Sequence, residues 1–315
     1  MPETHDNRKK HALAGKYVIQ KNDLIYGNTS IFSLNDLKIL KLIMSKVDSK
    51  ESLFNKFYEI HNDELKALNL NENHLYQIVI SSLKNLANTY ITMDGDENGE
   101  DTVKEVGLIQ NNFKYKKYSK RFIVSFHQDM EDYLLKIKKN FTRYPIIEIA
   151  DLKLKYSLKL YEYLMSTNLA VFEIGLEKLK KRLDIDQNSY SQFGNFKVKV
   201  LDPAIKQISE TTSITVEYTP IKDGKKVTKI RFIVKKGTEG LPITPFKKIN
   251  KTNHPLIEKY LNAKIVIENM ECSISHIDID KFIVTVKENL SGELYQLECA
   301  HIEELETTLK AYINE

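Results

Sequence analysis

The sequence contains few cysteines, no tryptophan and no long apolar run. Cys272 and Cys299 are the only cysteines among its 315 residues. Two distant cysteines do not make a disulfide framework, so a reducing compartment is expected. Residues 1–16 are polar and basic without the apolar stretch of a secretion signal, and no apolar segment reaches the length that spans a membrane. These absences predict a cytoplasmic protein that has no membrane segment.

The motifs of phosphate-binding and nicking enzymes are also missing. Gly15-Lys16 and Gly224-Lys225 lack the upstream glycine and the downstream serine or threonine of a phosphate-binding loop. A rolling-circle nickase would need a His-x-His metal pair near a nucleophilic tyrosine, and the chain has 17 tyrosines but no His-x-His. We therefore predict that the protein is not an enzyme and that it binds no cofactor.

Zinc is the metal that the residue types near the C-terminus would suit. Cys272-x3-His276 and Cys299-x-His301 carry soft ligands that could close a tetrahedral site. Their spacings match no common zinc pattern, and independent packing of the four residues is the alternative. We predict no metal site, although the sequence leaves open whether the four side chains cluster.

Charge is distributed unevenly along a chain whose composition, with 42% hydrophobic and 29% charged residues, is that of a globular protein. Residues 1–150 carry 22 Lys/Arg and 20 Asp/Glu, residues 151–245 carry 17 and 11, and residues 246–315 carry 8 and 12. A basic middle segment favours polyanions, because each neutralised phosphate releases counterions. Taken alone, the same charges could form an ordinary solvated surface.

Residues 17–150 are predicted to form a winged-helix domain, after a flexible N-terminus of residues 1–16. Ser33 begins a capping-box pattern, and apolar residues at helical spacing follow it. Two further helices are expected near residues 62–68 and 73–88, followed by a hairpin that begins near Tyr90 and by further strands. Three helices followed by a hairpin is the winged-helix order.

Residues 151–240 repeat this order, so the predicted fold class is α+β with two tandem winged-helix domains. Helices are expected near residues 151–166, 173–183 and 190–210, and Asp223-Gly224 is a strong hairpin signal between two alternating strands. The apolar side of the first helix is expected to consist of Leu154, Leu158, Tyr161 and Met165. Pro203 must either kink the third helix or start a new one with Asp202 as its cap. Residues 241–315 are expected to form an acidic, small α/β C-terminal extension, whose role the sequence leaves unassigned. Strands are expected there near residues 264–268, 282–286 and 294–298, and helices near residues 255–261 and 301–313.

A winged-helix domain lays its third helix in the major groove of DNA, and its hairpin touches the backbone or minor groove. In the second domain this predicts DNA contacts from the third helix and the wing by Gln192, Asn195, Lys197, Lys199, Lys206, Lys222, Lys225, Lys226, Lys229 and Arg231. In the first domain it predicts contacts from the third helix and from a basic turn between two strands, by Asn73, Gln77, Ser81, Lys84, Lys117 and Arg121. A charged, solvated face is the alternative for any single one of these residues.

Several segments carry a pattern shared with a known family. They are residues 17–25 (YVIQKNDLI) with 32–34, then 141–142 leading to 156–164 (YSLKLYEYL), then Tyr190, Phe193 and 196–201 (FKVKVL) with Pro203-Ala204 and Ile208, and finally 214–218 with the wing. Together they cover about residues 17–235 in the right order. In this they resemble the iteron-binding initiator (Rep) proteins of theta-replicating plasmids.

The resemblance implies that the protein binds repeated origin sequences, the iterons, as a monomer through both domains. It also implies a homodimer in equilibrium with the monomer, which represses its own gene. The first domain would serve dimerisation and auxiliary DNA contacts, and the second would hold the main DNA contacts. Around the third helix of the second domain, near residues 190–210, this chain mostly has lysine where family members have arginine. Lysine acts as a point charge and not as a fork of donors, so the family's base contacts do not transfer residue by residue to this chain.

The predicted function is therefore a plasmid replication initiator that opens the origin and recruits host replication initiator and helicase proteins. A dimeric winged-helix transcriptional repressor without a replication role is the alternative among DNA-binding proteins. A rolling-circle nickase is the enzymatic alternative. Support of plasmid replication in trans separates the first two, and nicking of supercoiled origin DNA with Mg²⁺ identifies the third.

Overall fold

The computed structural model describes residues 12–97, 100–186, 189–236, 260, 263–267, 270–278, 283–288 and 294–298. The chain forms two compact units, Met1–Leu241 and Pro242–Glu315. Both segments that we predict to be winged-helix domains lie within the first unit. Among the described residues, no helix is long and apolar enough to cross a bilayer.

The first half of unit 1 alternates short helices and strands. Its helices are α1 (Asn22–Tyr26), α2 (Leu34–Met44), α3 (Asn62–Ala67), α4 (Leu75–Asn88) and α5 (Glu131–Leu134). Its strands are β1 (Tyr17–Lys21), β2 (Tyr58–His61), β3 (Tyr90–Glu97), β4 (Glu100–Gly107), β5 (Lys114–Lys116), β6 (Arg121–Val124) and β7 (Phe141–Pro145). β1 pairs with β7 in antiparallel fashion, which closes this half between its first and last strands.

The start of α2 follows the capping box expected at Ser33. The hydroxyl of Ser33 accepts a hydrogen bond from the backbone N–H of Asp36 at 3.2 Å, and the Asp36 carboxylate accepts one from the N–H of Ser33 at 2.8 Å. These two bonds satisfy backbone donors that a helix start otherwise leaves unpaired. The helix that they begin lies in the hydrophobic core, with Ile39, Leu42 and Ile43 fully buried.

The second half of unit 1 has the order helix, strand, helix, helix, hairpin. Its elements are α6 (Lys155–Thr167), β8 (Val171–Gly175), α7 (Leu176–Arg182), α8 (Phe193–Phe196), a π-helical segment (Lys197–Leu201), α9 (Asp202–Thr211), β9 (Ile214–Asp223) and β10 (Lys226–Lys236). The hairpin turn lies at the expected place, with Gly224 at a φ of +57°, a conformation that glycine adopts without strain.

The two halves share one sheet topology. In the first half, β2 lies between α2 and α3 and pairs with β6, which also pairs with β5. In the second half, β8 lies between α6 and α7 and pairs with β10, which also pairs with β9. The β5–β6 hairpin is therefore the counterpart of the β9–β10 wing. The hairpin predicted from Tyr90 exists as β3–β4, but it is a separate two-stranded sheet inserted between α4 and β5.

Pro203 lies within one continuous helical run from residue 193 to residue 211. Proline cannot donate a backbone hydrogen bond, and its ring collides with the carbonyl four residues earlier. The run widens to a π-helix over residues 197–201, directly before the proline, and continues beyond it. Of the two outcomes that the sequence left open, the helix distorts and continues. Asp202 does not cap it, and its carboxylate instead accepts a hydrogen bond from the Tyr218 hydroxyl at 2.6 Å.

Helix α6 is buried on every side, whereas the sequence pattern predicted one apolar side formed by Leu154, Leu158, Tyr161 and Met165. The helix contacts α1 and β7 of the first half and α7 and α9 of the second. Leu154, at its N-terminal cap, is 40% exposed and does not belong to the buried side. Periodicity indicates one buried face only when a helix has one neighbour, and α6 has neighbours all round.

Charged side chains inside this junction have partners. Glu162 of α6 accepts hydrogen bonds from Gln20 at 2.7 Å and Tyr144 at 2.6 Å and lies 2.8 Å from the ammonium of Lys41. Burial opposes the charge of Glu162, but Lys41 and Tyr144 outweigh it and hold its pKa below the ordinary value. The network ties α6 to β1, β7 and α2.

The described part of unit 2 is a four-stranded antiparallel sheet in the order β11 (Lys264–Ile267), β12 (Met270–Asp278), β13 (Ile283–Glu288) and β14 (Leu294–Glu298). Three of these strands were expected, and β12 was not. The helix expected over residues 301–313 lies outside the described residues, as do Cys299 and His301. Cys272 and His276 lie on β12, but their side chains are outside the described part as well.

Candidate nucleic-acid interface

The exposed side of the 190–211 segment carries the residues predicted to contact DNA. Phe196, Val200 and Ala204 are buried and fix this run against the core, which leaves its other side in solvent. The residues exposed there are Asn195, Lys197 and Lys199 on the helical run and Gln192 at its N-terminal cap. Four of the five predicted contacts from this segment therefore lie together around its N-terminal half.

Lys206 lies farther along, on α9. It is exposed, and its ammonium is 3.9 Å from the carboxylate of Glu210, one turn later on the same helix. An exposed pair at this spacing contributes only about 0.3–0.5 kcal/mol, so it could give way to a phosphate. Its distance along the helix from Lys199 makes Lys206 a candidate for the DNA backbone and not for a base.

The wing of the second half places three lysines around its turn. Lys222, Lys225 and Lys226 are exposed next to Gly224. No ion pair involves them within the described residues. Lys229 is also exposed, on the strand that leaves the turn. Such a set of cations can hold a phosphate backbone without reading its sequence.

Arg231 and Arg121, both predicted to contact DNA, have carboxylate partners on the neighbouring strand. The guanidinium of Arg231 on β10 donates two hydrogen bonds to Glu173 on β8, at 2.9 and 2.5 Å. The guanidinium of Arg121 on β6 donates to Glu59 on β2 at 2.6 Å. Arg231 lies directly opposite Glu173 in the β10–β8 pair, whereas Arg121 lies opposite His61 and reaches Glu59 diagonally in the β6–β2 pair. Each wing is thus joined to its neighbouring strand by an arginine–glutamate contact. Both arginines stay predictions as DNA contacts, but the structure gives each a role in holding its wing.

In the first half, α4 presents the predicted polar face. Leu75, Val79 and Leu86 are buried, whereas the exposed residues of this helix include Gln77, Ser81 and Lys84. Asn73 is exposed in the short 3₁₀ turn directly before α4, where the Asn71 side chain accepts a hydrogen bond from its backbone N–H at 3.1 Å. The four predicted residues therefore line one exposed side of the third helix, with a single charge among them.

The β5–β6 hairpin supplies the basic charge that α4 lacks. Lys117 is exposed at its turn, and Lys114, Lys116 and Lys120 are exposed beside it. Tyr118 at the tip is completely exposed, at 103% of the reference area. Tyr76 of α4 packs edge-on against Tyr115 of β5, with ring centroids 4.9 Å apart. Helix and hairpin thus form one continuous exposed surface.

A buried ion pair anchors the turn that precedes the helical run of residues 193–211. The ammonium of Lys159 lies 3.3 Å from the carboxylate of Asp184, and both side chains are 2% exposed. Burial lowers the pKa of Lys159, Asp184 opposes this shift, and the net pKa is below the ordinary value. Lys159 also donates to the carbonyls of Ile25 and Gly27, at 3.3 and 3.2 Å. The turn is therefore held against the first half of unit 1.

A polar pocket of about 470 Å³ opens beside this turn. Its lining includes Asp184, Tyr156 and Tyr190, together with Asn195 and Lys199 from the 193–211 helical run. Two residues predicted to contact DNA thus share one concave surface. Among the described residues, no group of three or more His, Cys, Asp or Glu side chains could hold a metal ion.

Val198 and Tyr118 are exposed hydrophobic residues on these surfaces that were not among the predicted contacts. Val198 is 65% exposed between Lys197 and Lys199, and Tyr118 is fully exposed at the β5–β6 tip. The signal for Tyr118 was its position within a lysine cluster. The signal for Val198 was its place two residues from both Phe196 and Val200, which a helix turns to the opposite side.

Two family models match unit 1. The model described as initiator replication protein, WH1, matches residues 17–165, and the model described as initiator Rep protein, WH2, matches residues 175–234. Together they cover most of the chain in the order that the fold shows. No curated protein matches the sequence.

One solved structure supports the fold of unit 1. The crystal structure of Pi initiator protein in complex with iteron DNA is 23% identical, covers 71% of this chain and 98% of that chain, and has a TM-score of 0.62. A WH1 domain of a replication protein isolated from a multiple sclerosis patient is 11% identical, covers 32% of this chain and 78% of that chain, and has a TM-score of only 0.27. At these identities the first likeness shows two winged-helix domains and no more.

Proposed function

The chain belongs to the initiator replication protein family. We propose that it binds iteron repeats at a plasmid origin through both winged-helix domains. The contacts would come from α4, from the 193–211 run and from the lysine-bearing hairpin beside each. The observation that carries the proposal is the repetition of one interface. Each half presents an exposed polar helix, α4 or the 193–211 run, beside a hairpin with exposed lysines. Two such surfaces on one chain fit two contacts on the same duplex.

The two surfaces are expected to contribute differently. The helix of the second surface carries Lys197 and Lys199, whereas α4 carries Lys84 alone; the hairpins of both surfaces carry exposed lysines. Base contacts specify sequence, and phosphate contacts supply much of the affinity. We therefore assign the main contacts to residues 151–240 and auxiliary contacts to residues 17–150.

The remaining parts of the proposal rest on family membership. They are origin opening without a catalytic step, recruitment of host replication initiator and helicase proteins, and repression of its own gene by a homodimer in equilibrium with the DNA-binding monomer. Since its target is plasmid DNA, we expect the protein to act in the cytoplasm. The function of residues 242–315 stays unassigned.

Footprinting on the plasmid DNA that flanks the gene tests the proposal. We expect the purified protein to protect sites at regular intervals of about two helical turns, since equivalent faces of a duplex recur each turn. Protection of one isolated palindrome only would favour a repressor and overturn the assignment to iterons.

A replication assay separates an initiator from a repressor. Supplied in trans, the protein should sustain a plasmid that carries the origin but lacks the gene. Failure to do so, with repression of the promoter intact, would identify a repressor. Incubation with Mg²⁺ and supercoiled origin DNA should leave the DNA intact, whereas nicks joined covalently to protein would identify a nickase.

A further inference from the structure

Val198 lies at the centre of the exposed side of the second recognition helix. It is 65% exposed, whereas Phe196 and Val200, two positions before and after it, are at most 1% exposed. Residues two apart on a helix point to nearly opposite sides, so Val198 faces directly away from the core. A β-branched residue is a poor helix former and gains nothing from the fold at such a position.

Gly194 lies one turn before Val198 on the same side of the helix. Its φ is not in the left-handed region, and a Cβ added to it would meet nothing within 4 Å. Neither backbone conformation nor packing within the described chain therefore requires glycine there, although glycine weakens a helix relative to alanine.

The charge around these two residues indicates what approaches them. Lys197 and Lys199 flank Val198, and residues 187–201 contain no carboxylate; Asp184 and Asp186 lie in the pocket beside Lys199. This surface is suited to an anionic partner that has an apolar group at its centre. In the major groove of DNA that group is the C5-methyl of thymine, which small apolar side chains contact.

We propose that Val198 recognises the methyl group of a thymine in the DNA site and that Gly194 allows the base edge to come close to the helix backbone. The inference rests on the proposed function, because it needs a sequence-specific duplex. Val198 would discriminate thymine from cytosine at one position of each repeat, which neither lysine can do by charge alone.

Replacement of thymine by uracil, which lacks only the methyl group, tests the contact. Each thymine of one protected repeat is replaced in turn, and binding of the wild type and of Val198→Ala is measured. At one position we expect uracil to weaken wild-type binding about fourfold, the factor for about one buried methyl-sized group. The same replacement should not weaken binding of Val198→Ala further. If uracil weakens binding of the wild type and of Val198→Ala by the same factor at every position, the proposal is overturned.

Gly194→Ala tests the close approach independently. Because the added Cβ meets open space in the protein, we expect the melting temperature to stay the same or rise. Binding to the same duplex should fall about fivefold or more, the factor for an overfilled contact. Unchanged binding would exclude close approach at Gly194. The matched control for Val198→Ala is Val103→Ala, which truncates another exposed valine, on β4, and should bind DNA as the wild type does.

The outcomes for the function and for the inference can be separated. A wild-type protein that protects no repeated sequence contradicts the proposed function. Specific protection together with additive uracil and Val198→Ala effects contradicts only the assignment of the thymine contact.

Discussion

At the scale of single residues, Glu162 joins groups from four elements. It lies on α6 and contacts Gln20 on β1, Lys41 on α2 and Tyr144 on β7. The side chains of Lys41 and Glu162 are 5% and 3% exposed, so neither ion has water as an alternative partner. Removal of one partner from such a pair leaves the other charge buried and unpaired, which is strongly destabilising.

We expect Glu162→Gln to lower the free energy of unfolding at pH 7 by about 3–5 kcal/mol. The pKa of Glu162 is lowered in the folded protein, so its contribution is present above the unfolded pKa of about 4.3 and is lost as pH falls through the folded pKa. The difference between wild type and variant should therefore shrink below about pH 4. Urea denaturation across pH 3–7 measures it. Glu217→Gln, at a carboxylate that is 62% exposed and whose partner Lys235 is 60% exposed, should change stability by less than about 0.5 kcal/mol at pH 7.

Lys199 is the lysine for which a base contact is most directly testable. It is exposed on the recognition helix and also lines the polar pocket. Lys199→Ala should weaken binding to the specific site by about 1–3 kcal/mol if the ammonium reaches a base edge. A gel-shift titration against specific and unrelated duplexes measures the change. Lys50→Ala, at an exposed lysine outside both interfaces, should bind as wild type does.

At the scale of elements, the two wings are built alike and charged alike. Each has exposed lysines around its turn and an arginine–glutamate contact to the strand behind it. The pairs Arg121–Glu59 and Arg231–Glu173 restrain the strand that leaves each turn. The lysines are left exposed at the front, where they are available to phosphates.

Replacement of Lys225 and Lys226 by alanine should weaken binding to all DNA sequences. The slope of log affinity against log salt concentration should flatten by roughly one unit for each phosphate that the variant no longer neutralises. Binding isotherms from about 50 to 200 mM salt measure that slope. Lys138→Ala/Lys139→Ala removes two adjacent exposed lysines before β7 and serves as the control. If both double variants show the same slope of log affinity against log salt concentration, the β9–β10 turn does not contact DNA phosphates.

The sequence was sufficient for those elements whose signals are local. The Ser33 capping box, the Asp223-Gly224 turn and the two faces of α4 all follow from residues a few positions apart. It was insufficient where distant parts of the chain decide. The burial of α6 on all sides depends on neighbours from both halves, and the pairing of β2 with β6 joins residues about 60 positions apart. The partners of Arg121 and Arg231 follow from strand register, which periodicity does not give.

At the scale of the whole molecule, unit 1 joins both winged-helix halves through α6 and the contacts around it. Lys159 and Glu162, about one turn apart on this helix, bond to groups in the first half, while α9 packs against the same helix from the second. The two recognition helices are therefore fixed relative to one another by buried groups. A fixed separation suits a DNA site with fixed spacing.

Hydrogen exchange should show that the halves of unit 1 open together. We expect the slowest amides of the β1–β7 pair and of the β8–β10 pair to exchange with the same free energy, because opening either half exposes α6. Mass spectrometry of exchange in the native protein measures both. A clearly lower free energy for one half would show that it opens alone. In Glu162→Gln both values should fall together.

The shared helix also bears on how such proteins can diversify. Recombination between two relatives could join the first half of unit 1 from one protein to the second half from the other. Its crossover would have to lie before or after α6. In either case, α6 would pack against a half from the other relative, whose contacting surface did not evolve with it. New pairings of origin specificity are thus expected to arise by gradual substitution on the exposed helix faces, and wholesale exchange of halves should yield poorly folded hybrids.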